Sequence, residues 1–240
     1  MAGRRPAAAL LAAAVLLVGG ATSAPALRAA HGAVRARFAC YPAQFGPFRA
    51  QPVTVSDEFS RLAVSVAGPE SVCAPAPGSS TAYLTCYTAL AGTAAGAPRT
   101  VRAADEFSRL AVTVSRLAAL CLPSARVDAG GSGVPARGLD SFSCYGAAAS
   151  AGTRGDVPVG DAFASSRDTI GSPSRFCAPA TWVGSRVRGV QPSDRSRFLT
   201  CYADRSSAKG TIVVLHNGFG YLKAALGART SLCTTAALGP

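Results

Sequence analysis

Eight cysteines, and the residues that keep station with them, constrain this chain more than any other feature. They form four successive pairs, Cys40 and Cys73, Cys86 and Cys121, Cys144 and Cys177, Cys201 and Cys233, separated by 33, 35, 33 and 32 residues. Each first cysteine is followed by tyrosine (Tyr41, Tyr87, Tyr145, Tyr202) and preceded at two positions by Phe38, Leu84, Phe142 or Leu199. Pro75, Pro123 and Pro179 stand two positions after the second cysteine in three pairs, with Thr235 in the fourth. Asp57, Asp105, Asp161 and Asn217 each lie sixteen positions before the second cysteine, and Phe59, Phe107, Phe163 and Phe219 follow two residues later. So many coincidences at one spacing are an internal repeat of four copies.

The repeat decides the secondary structure. Taken alone, Asp105 to Cys121 could be an amphipathic helix. The matching stretches of copies one and three contain Gly68-Pro69 and Gly171 with Pro173, which would break a helix. What the copies share is alternation: Val53, Val55, then Leu62, Val64, Val66; Leu110, Val112, Val114; Leu222, Ala224, Leu226. Period two means strands with one buried face. The third copy is poorer, with Ser166 and Asp168 before Ile170, and its strand is expected at a sheet edge. The apolar parity changes after Asp57, Asp105, Asp161 and Asn217, which marks them as structural turn residues. The expected fold is all-β: four tandem disulfide-closed antiparallel β units, packed in pairs as β-sandwich-like domains. Repeats one and two would occupy residues 34–127, a Gly/Ser-rich linker 128–138, and repeats three and four 139–240.

The first twenty-six residues read as a signal peptide. Arg4 and Arg5 precede the apolar run Ala7 to Val18, and Ala24-Pro25-Ala26 supplies small residues for cleavage before Leu27. The run is too short for a membrane span, which takes about 20 residues, and no later segment resembles one. Export implies an oxidising compartment, where an even cysteine count reads as disulfides. The repeat selects Cys40–Cys73, Cys86–Cys121, Cys144–Cys177 and Cys201–Cys233, because each copy then obeys one geometry. Closing a loop of about 33 residues would stabilise by about 3.7 kcal/mol in the loop-entropy treatment. Zinc would need ligand spacings that are missing: there is no Cys-x-x-Cys, and the histidines are His31 and His216.

Chemistry is sparse. A Ser-His-acid set would have to use His216, which sits at the end of an apolar strand, where an ordinary strand-end residue is the simpler reading. Asp57, Asp105 and Asp161 could serve as paired carboxylates only if different copies met at a cleft. No cofactor signature is present. Arg154-Gly155-Asp156 matches a short adhesion tripeptide, which a chain rich in arginine and glycine produces by chance. Arg186, Arg188, Arg195, Arg197 and Arg205 cluster near Phe198 and Tyr202, but those rings belong to the strand pattern, so no specific nucleic-acid signature emerges. The formal charge is +12, and +10 once Arg4 and Arg5 are removed (22 basic, 12 acidic). Lysine, isoleucine and asparagine are so rare that the arginine excess reflects in part a GC-rich bacterial genome; even so, a basic chain gathers on anionic polymers.

With Phe-x-Cys-Tyr, Val-x-Val-x-Asp-x-Phe and Cys-x-Pro in view, the chain resembles a family of uncharacterised bacterial secreted domains built from cysteine-pair repeats. The resemblance runs from Phe38 to Cys233 and implies export and a β fold. Glu58 and Glu106 stand where that family usually has Gln. The expectation is a secreted or envelope-associated, non-catalytic structural or binding module, whose partner is an anionic envelope polymer or another extracellular protein. The alternative is an extracellular polysaccharide hydrolase using repeat carboxylates.

Overall fold

The fold follows from where each copy puts its cysteines. In this computed structural model, residues 36–76, 82–91, 98–127, 133–135, 137–150, 153–184, 190–206 and 211–239 are described. The expected signal segment, His31 and residues 128–132 of the expected linker lie outside them. Copy one forms β1 (Arg37–Phe45), β2 (Gln51–Ser56) and β3 (Arg61–Ala76). Copy two forms β4 (Tyr83–Ala91), β5 (Arg99–Ala104) and β6 (Arg109–Arg126). Copy three forms β7 (Phe142–Ala148), β8 (Arg154–Gly160), β9 (Ser165–Pro179) and β10 (Thr181–Gly184). Copy four forms β11 (Phe198–Arg205), β12 (Ile212–Asn217), β13 (Gly220–Leu226) and β14 (Ser231–Leu238).

The eight cysteine-bearing strands close on themselves. β1 pairs β3, β3 pairs β4, β4 pairs β6, and β6 pairs β7. β7 pairs β9, β9 pairs β11, β11 pairs β14, and β14 returns to β1. All these ladders are antiparallel, so the circuit is an eight-stranded barrel. Inside a copy the cysteines face each other directly, as Cys40 does Cys73. At each junction between copies the register slips by two: Cys73 faces Leu84, and Ser71 faces Cys86. Four such slips give a total stagger of eight, the shear that suits eight tilted strands.

The bridges are Cys40–Cys73, Cys86–Cys121, Cys144–Cys177 and Cys201–Cys233, with Cα separations of 3.9, 3.9, 4.0 and 3.9 Å. These separations fall below the usual 4.4–6.8 Å, and each bridge joins directly opposed residues of an antiparallel ladder. All eight cysteines point into the barrel, with Phe38, Leu84, Phe142 and Leu199 stacked on one side of them. Tyr41, Tyr87, Tyr145 and Tyr202 alternate to the outside, where they are buried in two further apolar clusters.

Those outer clusters are covered by four arms. β2 pairs Arg61–Val66 of β3, β5 pairs Arg109–Val114 of β6, β8 pairs the first part of β9, and β12 pairs β13. Register shifts where β3, β6 and β9 pass from arm to barrel bend the chain there; Gly68-Pro69 and Pro173 occupy these bulges, where their cost in a regular strand is avoided. Among the described residues, the chain after the second cysteine of copies two, three and four then runs on to the arm two copies away. β10 of copy three pairs β2 of copy one, Ala125–Arg126 of copy two pair β12 of copy four, and Ala237–Leu238 of copy four pair β5 of copy two.

One expectation needs correction. The copies are not packed in pairs as sandwiches divided at 128–138. β6 and β7 pair across that boundary, and the described residues belong to one compact unit. The start of β9 is paired on one side: Ser165–Asp168 pair β8, and β11 joins β9 only from Thr169 onward. Because barrel closure and arm docking both draw on distant copies, residues 34–127 alone should show no cooperative unfolding transition by circular dichroism, whereas the whole chain should show one.

Candidate functional site

The repeated Asp-x-Phe turn is the first site the sequence singles out. Asp57 accepts the amides of Phe59 and Ser60 at 2.7 and 2.9 Å, and Asp105 and Asp161 do the same for Phe107 and Ser108, and for Phe163 and Ala164. Asn217 accepts the amide of Phe219 at 2.9 Å, in a turn closed by Gly220 at φ 110°. Each side chain has a second partner two copies away. Tyr145 donates to Asp57, Tyr202 to Asp105 and Tyr41 to Asp161, all at 2.7 Å. Asn217 donates to Tyr87 at 2.8 Å. The phenylalanine of each turn meets the same tyrosine at a steep angle: Phe59 and Tyr145 at 5.4 Å, Phe163 and Tyr41 at 5.5 Å, Phe107 and Tyr202 at 5.5 Å, Phe219 and Tyr87 at 4.9 Å. Arg99, Arg126 and Arg154 lie over Phe59, Phe163 and Phe107. Every arm is thus docked by one carboxylate or amide and one ring on an outward tyrosine.

Burial raises the pKa of all four tyrosines well above the usual phenol value, and the neighbouring carboxylate adds to it for Tyr41, Tyr145 and Tyr202. The phenolic proton is therefore held more tightly in the folded state. Its contribution is complete below the unfolded value of about 10 and is lost as pH rises from there towards the folded value. The melting temperature should be level to about pH 9 and fall steeply above pH 10, as a thermal-melt series in pH can check.

A buried charge cluster escaped sequence reading. The side chain of Arg229 is wholly enclosed and contacts Asp168, Asp204 at 2.5 Å, Asp161 at 3.4 Å and the Ser166 hydroxyl at 2.6 Å. The signal was present as departures from the repeat. Asp168 stands where the other copies have Val64, Val112 and Ala224, Asp204 where they have Ala43, Ala89 and Ala147, and Arg229 where they have Pro69, Leu117 and Pro173. At these three apolar positions one buried guanidinium faces the Asp168 and Asp204 carboxylates, and it also reaches Asp161. Arg229→Leu alone should cost about 3–5 kcal/mol, the usual result of stranding buried charge. Adding Asp168→Val and Asp204→Ala, the residues of other copies, should recover most of it in urea unfolding.

What breaks the fourfold pattern on the surface is a cleft of about 330 Å³ on the outer face of the first arm. Its floor is the ladder of β10, β2 and β3, where Thr54 faces Val183, and Ser56 faces both Thr181 and Arg61. One wall is residues 191–195. Buried Asp140 fixes that segment by accepting the amides of Ser193 and Asp194 at 2.6 and 3.2 Å. Gln191 accepts from Thr181 at 3.3 Å and from Arg195 at 2.6 Å. Ser196 hydrogen-bonds Asp194 and keeps its carboxyl below the usual range. Arg61, Arg195 and Glu58 are exposed at the rim, with Pro179 and Pro192 as apolar sides. Of the four repeat turn residues, Asp57 alone lines this cleft.

The remaining sequence candidates are dispersed. His216 bonds the Gly133 carbonyl at 2.6 Å and stacks on Tyr221 at 4.5 Å. Arg154 donates to the Phe107 carbonyl, and Asp156, at φ 60°, pairs with Arg167, so both charges of the tripeptide are engaged. Arg197 pairs with Asp194; Arg186, Arg188 and the Arg205 side chain lie outside the described residues. Glu106 takes a two-point ion pair from Arg37 at 2.7 and 2.5 Å. Comparison of the chain with models of known protein families, with curated proteins and with solved structures finds no match. The resemblance to secreted cysteine-pair repeats therefore stands on the Cys-Tyr, Asp-x-Phe and Cys-x-Pro signature alone.

Proposed function

We propose that this chain is a secreted or envelope-associated, non-catalytic binding module, and that the cleft on the first arm takes an anionic, hydroxyl-bearing polymer. The observation that carries this reading is the cleft's composition. Two exposed guanidinium groups, Arg61 and Arg195, stand over a floor of the Thr54, Ser56 and Thr181 hydroxyls. Guanidinium forks suit carboxylate and phosphate, and the hydroxyls can donate to or accept from a polyol. Asp57 turns its carboxylate to its own turn amides and Tyr145, and Glu58 is exposed at the same rim, so the two guanidinium forks, rather than a net positive charge, are what would hold an anionic ligand. The lining contains no aromatic ring, so it offers no platform for a nucleobase. Four disulfides are typical of extracellular proteins, which supports export.

The hydrolase alternative needs repeat carboxylates that converge. Asp57, Asp105 and Asp161 instead serve one arm each and are held by turn amides and a tyrosine, which favours binding without catalysis. A membrane-spanning role for the barrel has little support, since its outward tyrosines face the arms rather than lipid.

The test uses a soluble polyuronate, with a neutral glucan as control. The mature protein should bind polyuronate at low salt, lose it as ionic strength shortens screening to about 8 Å and below, and ignore the glucan. Arg61→Glu with Arg195→Glu should weaken polyuronate binding at least tenfold at unchanged melting temperature. Equal binding by the double variant, or equal binding of the glucan, would contradict the reading.

A further inference from the structure

The four bridges are in contact with one another. Cys40 Sγ lies 3.6 Å from Cys233 Sγ, Cys73 lies 4.0 Å from Cys86, Cys121 lies 3.6 Å from Cys144, and Cys177 lies 4.0 Å from Cys201. The eight sulfurs therefore form one closed ring in which bonded and merely touching neighbours alternate. We infer that this ring is a single thiol–disulfide exchange circuit, along which a thiolate formed at any member passes through contacts already in place.

Each step is an exchange with no net oxidation. A thiolate attacks the touching sulfur of the next bridge, a new S–S bond forms, the old one breaks, and its electron pair leaves on the far sulfur as the next thiolate. In the intact protein a low-molecular-weight thiol would start the circuit at Cys40, which lines a cavity of about 410 Å³ at the barrel mouth with Ser71, Ser174, Arg175 and Ser231. Attack on Cys40 gives a mixed disulfide and a Cys73 thiolate. Cys73 takes Cys86 and frees Cys121; Cys121 takes Cys144 and frees Cys177; Cys177 takes Cys201 and frees Cys233. Cys233 then attacks Cys40 and expels the original thiol. Four bridges remain, now between copies, and the thiol is returned unchanged. A nucleophile that enters the mouth thus rearranges the cross-links without reducing their number.

The contact order imposes a parity rule that a variant can test. In Cys73→Ser the lone thiol starts on Cys40. Passing through Cys233, Cys177 and Cys121, it can reappear on Cys201, then Cys144, then Cys86, and on no second cysteine. The folded variant, judged by a cooperative melt, is held at pH 8, quenched in acid, alkylated in denaturant and mapped by mass without reduction. Label shared between Cys40 and one or more of Cys201, Cys144 and Cys86, with a Cys40–Cys233 bridge, is expected. Label on Cys40 alone, or on any of Cys121, Cys177 and Cys233, overturns the circuit. Cys201→Ser supplies the opposite parity and a second chance should the first variant not fold. Its label should be shared between Cys233 and one or more of Cys73, Cys121 and Cys177, and label on Cys233 alone or on any of Cys40, Cys86 and Cys144 overturns it.

Discussion

Everything in this structure depends on eight cysteines occupying the inner face of eight neighbouring strands at one level. The interior of an eight-stranded barrel has room for a layer of side chains and no more. Here that layer is sulfur, cross-linked in pairs, with Phe38, Leu84, Phe142 and Leu199 closing one side. A chain with only 10 phenylalanines, 6 tyrosines and 1 tryptophan has few large side chains with which to fill a barrel. Cross-linked cysteines are small, apolar and fixed in place, and they fill the centre while the larger rings are used outside. The same bridges shorten the loops that must close on folding, which offsets part of the entropy of a topology dominated by distant contacts.

The second constraint is diagonal. Tyrosine of copy one meets the turn of copy three and the reverse, and copies two and four do likewise. The strand extensions that are described follow the same rule, from three to one, two to four and four to two. No copy can complete its own arm. The disulfides are local to a copy and the outer layer ties opposite copies, while the barrel ladders join neighbouring ones, so all three kinds of link are needed to hold the four copies together. Such long-range pairing makes for slow folding, and a covalently closed centre keeps the partners near while the arms dock.

Much of this was written in the sequence, and the limits are physical. Alternation at Val53-x-Val55 or Val112-x-Val114 reports that one face is buried, but not what covers it; barrel and sandwich give the same pattern. The Asp-x-Phe turn could be read from parity, while its tyrosine partner could not, because nothing local distinguishes the next copy from the one after. Asp168, a charge at an apolar position, suggested an edge but not its partner Arg229, sixty-one residues on. The cleft was legible only as a long connection between Cys177 and Cys201, since its floor joins strands of the first and third copies and its wall is the segment leading from the third to the fourth.

Sulfur anomalous diffraction from crystals of the mature protein tests the central claim most directly, because the cysteines would be its only sulfur atoms once Met1 is removed. Eight peaks in one closed ring, with bonded pairs alternating with gaps of 3.6 to 4.0 Å, are expected. Four separate pairs, each remote from the next, would contradict it.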